Sequence, residues 1–428
     1  MKRAVVIGSG AGGATAAKEL QGKFDVTVLE EGKPFVPMSV NLQSIYKLKK
    51  SGLMLDERMA GLIFPPMRIR KTAEDMVLVN GRGLGGTTTI CTGNALREDE
   101  ALKAIGINLD EEFDELANEV PISTDHQKRW HPNTRKVYDI CEKMGLQPEP
   151  TPKMAFREKC AACGRCIFGC LRGAKWDSRY FLDDALARGA RLVSNCKVER
   201  LVVRNGQASG VEASNGWHRR FIPADLVVVA AGGLGTPGIL RNSGLECVDR
   251  LFVDPVLCVA ARWDDSRQDT EIPMPFVVQR ENFIISPYFD FLSYFFNGRW
   301  KYPAKNIYSI MIKIADTNCG GVQGRRVDKT LSAEDWRVLD EGTELCTEIL
   351  HRVGINDDEI FLGTLNAGHP GGMLPLTENE SRSFHHGALP GNVYVCDSSL
   401  FPESLGNPPI LTIMAMAKRI GKICRALA

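Results

Sequence analysis

The sequence predicts an α/β protein in which a Rossmann-like dinucleotide-binding domain carries an inserted antiparallel-sheet domain. Three observations predict it. An apolar run over residues 3–7 meets a G-x-G-x-x-G turn, a helix and a second strand ending in an acid. A buried strand, glycine turn and helix recur at 224–244. Between 251 and 384 the chain changes to short aromatic and β-branched runs with partial alternation, the pattern of an antiparallel sheet.

The first unit is "RAVVIGSGAGGATAAKELQGKFDVTVLEEG". Its apolar run suits a buried parallel strand. Gly8 permits the tight turn, Gly10 lets backbone approach a pyrophosphate, and Gly13 lets helix and strand pack closely. The helix that follows offers free N–H groups and a positive dipole end to phosphates. The second strand, "DVTVLE", ends in Glu30, placed to accept hydrogen bonds from ribose hydroxyls. An acid there disfavours a 2′-phosphate and hence NADP, and leaves FAD and NAD open.

Three further blocks follow in order. "NGRGLGGTTTICTGNALR" (80–97) is a second glycine-rich loop with hydroxyl side chains, and "ADLVVVAAGGLGTPGILRNSG" (224–244) is the recurring strand, turn and helix. "NVYVCDSSLFPESLGNPPILTIMAMAKRIGKIC" (392–424) is a strand reaching Asp397, a Pro-rich loop and a long amphipathic helix. Together the four blocks resemble the glucose–methanol–choline (GMC) oxidoreductases, a family of FAD enzymes. The resemblance leaves out mainly 40–75, 100–155 and 251–360.

That resemblance implies FAD as cofactor and a Rossmann-like FAD domain of the GMC and p-hydroxybenzoate-hydroxylase type. Gly8, Gly10, Gly13 and Glu30 would bind the ADP half. Gly86, Thr87 and Asn94 would line the flavin side of the second loop, and Val198 in "CKVERL" would meet the adenine through its backbone. Asp397 and the Asn407–Pro408 step would lie against the ribityl chain and isoalloxazine. Family members usually carry Asn where this chain has Cys91.

The resemblance also singles out one of seven histidines. "LNAGHPGGMLPL" places His369 in the H-x-x-G turn where the family keeps its catalytic base, and the partner before the final helix would be Asn407. A histidine with an ordinary pKa of about 6.5 can accept a hydroxyl proton near neutrality while hydride leaves for flavin N5. Asn407 can hold the oxygen but cannot titrate. The turn departs from the family's usual "GT" and Met-Gly ending, which points to a different loop shape near the substrate. His385 and His386 read as an exposed turn rather than a metal pair.

"EKCAACGRCIFGC" (158–170) has C-x2-C-x2-C-x3-C spacing at Cys160, Cys163, Cys166 and Cys170, the run bacterial ferredoxins use for a [4Fe–4S] cluster. Gly164 and Gly169 let the chain curl around a compact cube. Structural zinc usually takes two well-separated Cys pairs, disulfides do not suit a reducing compartment, and a metal-free Cys-rich turn is the third alternative. Leu171 stands where ferredoxins have proline, and in two-cluster ferredoxins the fourth cysteine serves the other cluster, so Cys170 is the ligand least specified. A similar stretch precedes G-A-K-x-x-S, here "GAKWDS", in family members resembling long-chain alcohol oxidases. Such a cluster would drain reduced flavin one electron at a time to a ferredoxin-like or quinone-like carrier, making the enzyme a dehydrogenase.

Composition bounds the rest. Lys plus Arg total 53 and Asp plus Glu 52, which gives no reason to expect nucleic acid or an acidic membrane as partner. No segment reads as a signal peptide or membrane span, so the expected location is cytoplasmic, with the thirteen cysteines reduced. The expected FAD domain takes 1–40, 76–100, 156–250 and 385–428; the substrate domain and connections take 41–75, 101–155 and 251–384. Within the latter, "FIISPYFDFLSYFFNGRW" (283–300) reads as strands beneath the flavin, either an aromatic pocket wall or plain sheet core, and 123–160 as a surface run towards the cysteines. "LSAEDWRVLDEGTELCTEILHRVG" reads as a helix capped by Ser332 and stopped by Gly354. The expected activity is FAD-dependent oxidation of a small-molecule alcohol. The same residues would also serve a reductase of a carbonyl or activated double bond, an oxygen-using alcohol oxidase if no cluster is present, or a redox sensor without turnover.

Overall fold

The computed structural model describes residues 1–51, 56–72, 74–216, 218–324 and 326–428. The first apolar run becomes the strand Lys2–Ile7, buried from Ala4 onward, at the centre of a five-stranded parallel sheet. Its neighbours are Leu226–Val229 on one side and Phe24–Leu29 on the other, with Val393–Val395 and Arg191–Val193 at the edges. Such continuous Val/Leu/Ile runs belong to strands covered on both faces. The helix Ala11–Glu19 packs against Arg179–Ala187 and the C-terminal Ile410–Ala426. A three-stranded antiparallel sheet, Lys197–Arg204, Gln207–Asn215 and His218–Pro223, adds Leu201, Val211 and Ala213 to the same core.

The runs "RLVSNCKVERLVVRNG" and "QASGVEAS" read in the sequence as the strands of one β-meander, and the structure divides the first of them. "RLV" is not part of the meander but the edge strand of the parallel sheet, paired with Thr27–Leu29. Asn195, at φ +53, turns the chain away before the meander starts at Lys197.

A second, nine-stranded sheet runs Met67–Lys71, Val77–Gly81, Asn366–Ala367, Pro255–Arg262, Ile307–Ile314, Phe283–Pro287, Phe276–Gln279 and Glu149–Pro150, with Ile360–Leu362 also on Pro255–Arg262. The helix Ala333–Arg352 closes one face; Ser332 caps it with a reciprocal Asp335 box, and Gly354 ends it at φ +95. The strand Val77–Gly81, sequence-adjacent to the second glycine loop, lies in this sheet.

The aromatic segment departs from the reading as strands. Only Phe283–Pro287 is a strand, and Phe291–Phe296 is a helix whose N-cap Asp290 accepts from the N–H groups of Leu292 and Ser293. The i, i+3, i+4 spacing of Phe291, Tyr294 and Phe295 satisfies a helical face as well as alternation does. These rings form a buried cluster with Phe289, Trp300 and Phe168 of the cysteine loop. Segment 123–160 is also no mere surface run. It folds into the helix Pro132–Lys143, which buries Val137 and Cys141, followed by two short strands. Among the described residues no helix is long and apolar enough to cross a membrane.

Candidate active site

The two glycine loops meet at the C-terminal edge of the parallel sheet. Gly8 adopts φ +97, and a Cβ there would lie 2.3 Å from the Ala230 carbonyl oxygen. A Cβ on Gly13 would lie 2.0 Å from the Gly8 carbonyl oxygen, the close helix–strand contact the motif needs. Gly10 differs: its Cβ would enter open space, with nothing within 4 Å. A Cβ on Gly86 would lie 3.1 Å from the Gly10 Cα, so the second loop passes directly over the first. The helix Ala11–Glu19 has neither a capping side chain nor an acid in its first turn, leaving its N-terminal N–H groups for an anion. This cradle fits the diphosphate of a dinucleotide.

Glu30 is buried beside it, accepting from Ser9 N (3.1 Å), Ser9 Oγ (2.7 Å) and Gly32 N (2.8 Å). Ser9 Oγ also accepts from Gly85 N at 3.2 Å, tying the two loops together. Thr87 Oγ1 accepts from Gly81 N at 3.1 Å, and Val198 lies buried on the first meander strand. Asp397 follows the edge strand, where its carboxylate accepts from Gly232 N (2.9 Å), Thr236 Oγ1 (2.5 Å) and Ser399 N (2.9 Å). Burial pushes this carboxyl up, against the pull of those donors.

Three neighbouring strands of the second sheet assemble the histidine site. Ala367 pairs with Pro255, and Val256 pairs with Lys313, so the His369 turn, Asp254 and Lys313 share one end of the sheet. His369 Nδ1 lies 3.2 Å from Asp254 Oδ2 and 2.9 Å from Lys313 Nζ, and its ring stays about 20% exposed. Asp254 is fully buried at φ +51, accepts from Ser404 Oγ, and gives its backbone oxygen to Lys313 at 3.2 Å. Enclosure and the Lys313 charge hold His369 below its usual value, while the bond to Asp254 pulls it up.

Asn407 donates to Glu98 Oε1 at 2.8 Å and Gln279 Oε1 at 3.3 Å; Pro408, next to it, is buried. Among the described residues no hydrogen bond joins Asn407 to His369. Burial raises Glu98 to about 7, and the charges of Asp99, Glu100 and Asp254 add to the shift. Thr412 of the last helix holds the Glu98 backbone from both sides.

Cys160, Cys163, Cys166 and Cys170 line one cavity of about 330 Å³. Among the described residues no three Cys, His, Asp or Glu side chains converge as they would around a single ion; a cubane holds its thiolates at separate corners, farther apart. Ala162 at φ +49, Gly164 at φ +71 and Gly169 at φ +83 curl the loop, and Cβ atoms on the glycines would strike the Asp269 oxygen (2.6 Å) and the Phe35 ring (2.5 Å). Cys160 Sγ accepts from Ala162 N (3.5 Å) and Cys170 Sγ from Ala174 N (3.2 Å), while burial pushes the Cys166 thiol up to about 12. These features fit a cubane.

Asn94 is tied to this cavity through Lys153, whose Nζ donates to its Oδ1, and its Nδ2 lies 2.9 Å from the Met274 sulfur. Lys175 Nζ holds the carbonyls of Thr88, Thr89 and Cys91 in the second glycine loop and of Cys166 in the cysteine loop. Sequence reading missed Glu98, Lys153, Lys175, Asp254 and Lys313. Lys175 was within reach, since it stands in the "GAKWDS" segment.

Comparison with known proteins gives a family and a fold. The family model described as GMC oxidoreductase matches residues 3–251. An uncharacterized protein of Methanocaldococcus jannaschii is 27% identical over 97% of both chains. A long-chain-alcohol oxidase of Arabidopsis thaliana is 25% identical over 97% of this chain, which spans 65% of that relative. The crystal structure of pyridoxine 4-oxidase from Mesorbium loti superposes with a TM-score of 0.75 over 99% of both chains at 15% identity, a likeness of fold.

Proposed function

The chain belongs to the GMC oxidoreductases and is an FAD-dependent oxidoreductase acting on CH–OH donors; from that premise we propose an alcohol dehydrogenase with His369 as base, Asn407 as oxygen-binding partner and a [4Fe–4S] outlet on Cys160, Cys163, Cys166 and Cys170. FAD would supply the hydride acceptor at N5, and a cluster held by the four cysteines would supply one-electron chemistry toward an external ferredoxin-like or quinone-like carrier.

The chain's own residues divide the remaining work. Gly8, Gly10, Gly13 and Glu30 would hold the ADP half; Gly86 and Thr87 would shape the flavin side, Val198 the adenine site, and Asp397 would brace the turn at Gly232 against the ribityl chain. We assign the Nδ1 proton to the bond with Asp254, with Lys313 donating to the Asp254 backbone oxygen, so that Nε2 of His369 keeps its lone pair and takes the alcohol proton; Asp254 then stabilises the imidazolium. The Lys313 charge opposes protonation of the ring. Asn407 offers its amide to the alcohol oxygen by exchanging the longer bond to Gln279. The proposed division into an FAD domain and a substrate domain puts His369, Asp254 and Lys313 on the substrate side.

The single observation supporting the dehydrogenase reading is that four thiols line one cavity whose wall, through Lys175, holds the second glycine loop. The test is anaerobic purification followed by alcohol addition. Flavin bands bleach, and oxidised carrier restores them faster than oxygen does. Restoration by oxygen alone, with peroxide release, selects the second reading, an oxygen-using alcohol oxidase, which the name of the plant relative favours.

A further inference from the structure

The thiol cavity has an unusual charge distribution. Its lining includes two lysines, four arginines and a histidine, and no aspartate or glutamate. The lysines are the telling part. Lys153 is 6% exposed and Lys175 4%, and among the described residues neither has a carboxylate within salt-bridge distance. Lysines this buried are seldom left without an anion, because desolvating an ammonium costs several kcal/mol. Their hydrogen bonds are met by neutral oxygens: Asn94 Oδ1 and the Pro273 carbonyl (2.6 Å) for Lys153, and four backbone carbonyls for Lys175. Carbonyls satisfy the donors without offsetting the charge: burial pulls Lys153 down to about 7, and negative charge on the neighbouring Cys166, Cys91 and Cys160 sulfurs pulls it back up.

We infer that Lys153 and Lys175 are the countercharges of a dianionic four-thiolate cluster and set its reduction potential. The inference rests on the iron–sulfur reading above. Four thiolates on an inorganic core bearing two positive charges leave a net charge of minus two, which two ammonium groups cancel. Net charge and hydrogen bonding near the sulfurs tune such potentials. Each lysine therefore favours the reduced, more negative state. Both also touch the flavin side: Lys153 through Asn94, and Lys175 through the carbonyls at 88, 89 and 91. These lysines are positioning residues and take no proton or electron themselves.

The test uses whole protein purified anaerobically, wild type beside Lys153→Gln and Lys175→Gln, which keep a donor and lose the charge. Iron, sulfide and FAD contents and the midpoint potential by EPR-monitored titration are measured. The expected result is retained FAD with a cluster potential shifted negative in each variant and further in the double variant. Loss of iron with FAD content and melting temperature retained supports the inference equally. Bound iron at an unchanged potential overturns it, as does loss of iron together with FAD, which marks a packing role. Absence of iron and sulfide from wild type overturns the iron–sulfur reading itself.

Discussion

Asp254 concentrates three demands on one side chain. It orients His369, neighbours Lys313 and receives Ser404, from a left-handed backbone conformation at full burial. Strain of that kind persists where the surroundings over-determine it, often at active sites. Asparagine tolerates the same conformation, so Asp254→Asn keeps the turn and removes the charge. Flavin reduction by alcohol is expected to fall by about 10²–10⁴-fold with FAD retained, the scale of losing a base's orienting carboxylate; stopped-flow absorbance checks it. His369→Ala loses at least as much, again with FAD bound. Glu98 makes a separate prediction. Its carboxyl rises from 4.5 to about 7 because it is buried. Between those values the folded protein keeps a proton that the unfolded chain releases, so this contribution is fully present below 4.5 and is lost as pH rises through 7. Glu98→Gln removes up to about 3 kcal/mol of that dependence, read as the difference in urea unfolding between acidic and mildly alkaline buffer.

Elements position these residues, and glycines test the positioning. Gly10 has an ordinary φ of −71 and open space beside it. Gly10→Ala is therefore expected to leave the melting temperature of the FAD-free protein unchanged while abolishing FAD retention, because the methyl enters the diphosphate path. Gly12→Ala is the contrast: its Cβ would sit 1.6 Å from the Cys396 carbonyl oxygen, so folding itself fails. Phe168 anchors the cysteine loop between Phe64 and Phe291. Phe168→Ala is expected to cost about 3–5 kcal/mol and to lower bound iron, measured by unfolding and metal analysis. The strand–turn–helix units were legible because glycine spacing and apolar runs are local. The helix at Phe291 was not, since aromatic spacing satisfied two periodicities and only Asp290 distinguished them.

At the scale of the molecule, what the sequence conceals is adjacency. His369, Asp254 and Lys313 come from three strands whose pairing no local pattern announces. Glu98 meets Asn407 across 309 residues. The cysteine run itself was plain, but Lys153, which precedes it, gains meaning only when folding turns it into the same cavity as Lys175. The proposed function makes the fold a circuit: a dinucleotide cradle on the parallel sheet, the His369 site at one end of the second sheet as proposed proton acceptor, and a thiol-lined cavity joined to the second glycine loop by Lys175. Iron, acid-labile sulfide and FAD measured in one anaerobic preparation test that circuit most directly. The account predicts about four irons and four sulfides per flavin. An iron-free protein that oxidises alcohol at full rate, with oxygen as its acceptor, would contradict it.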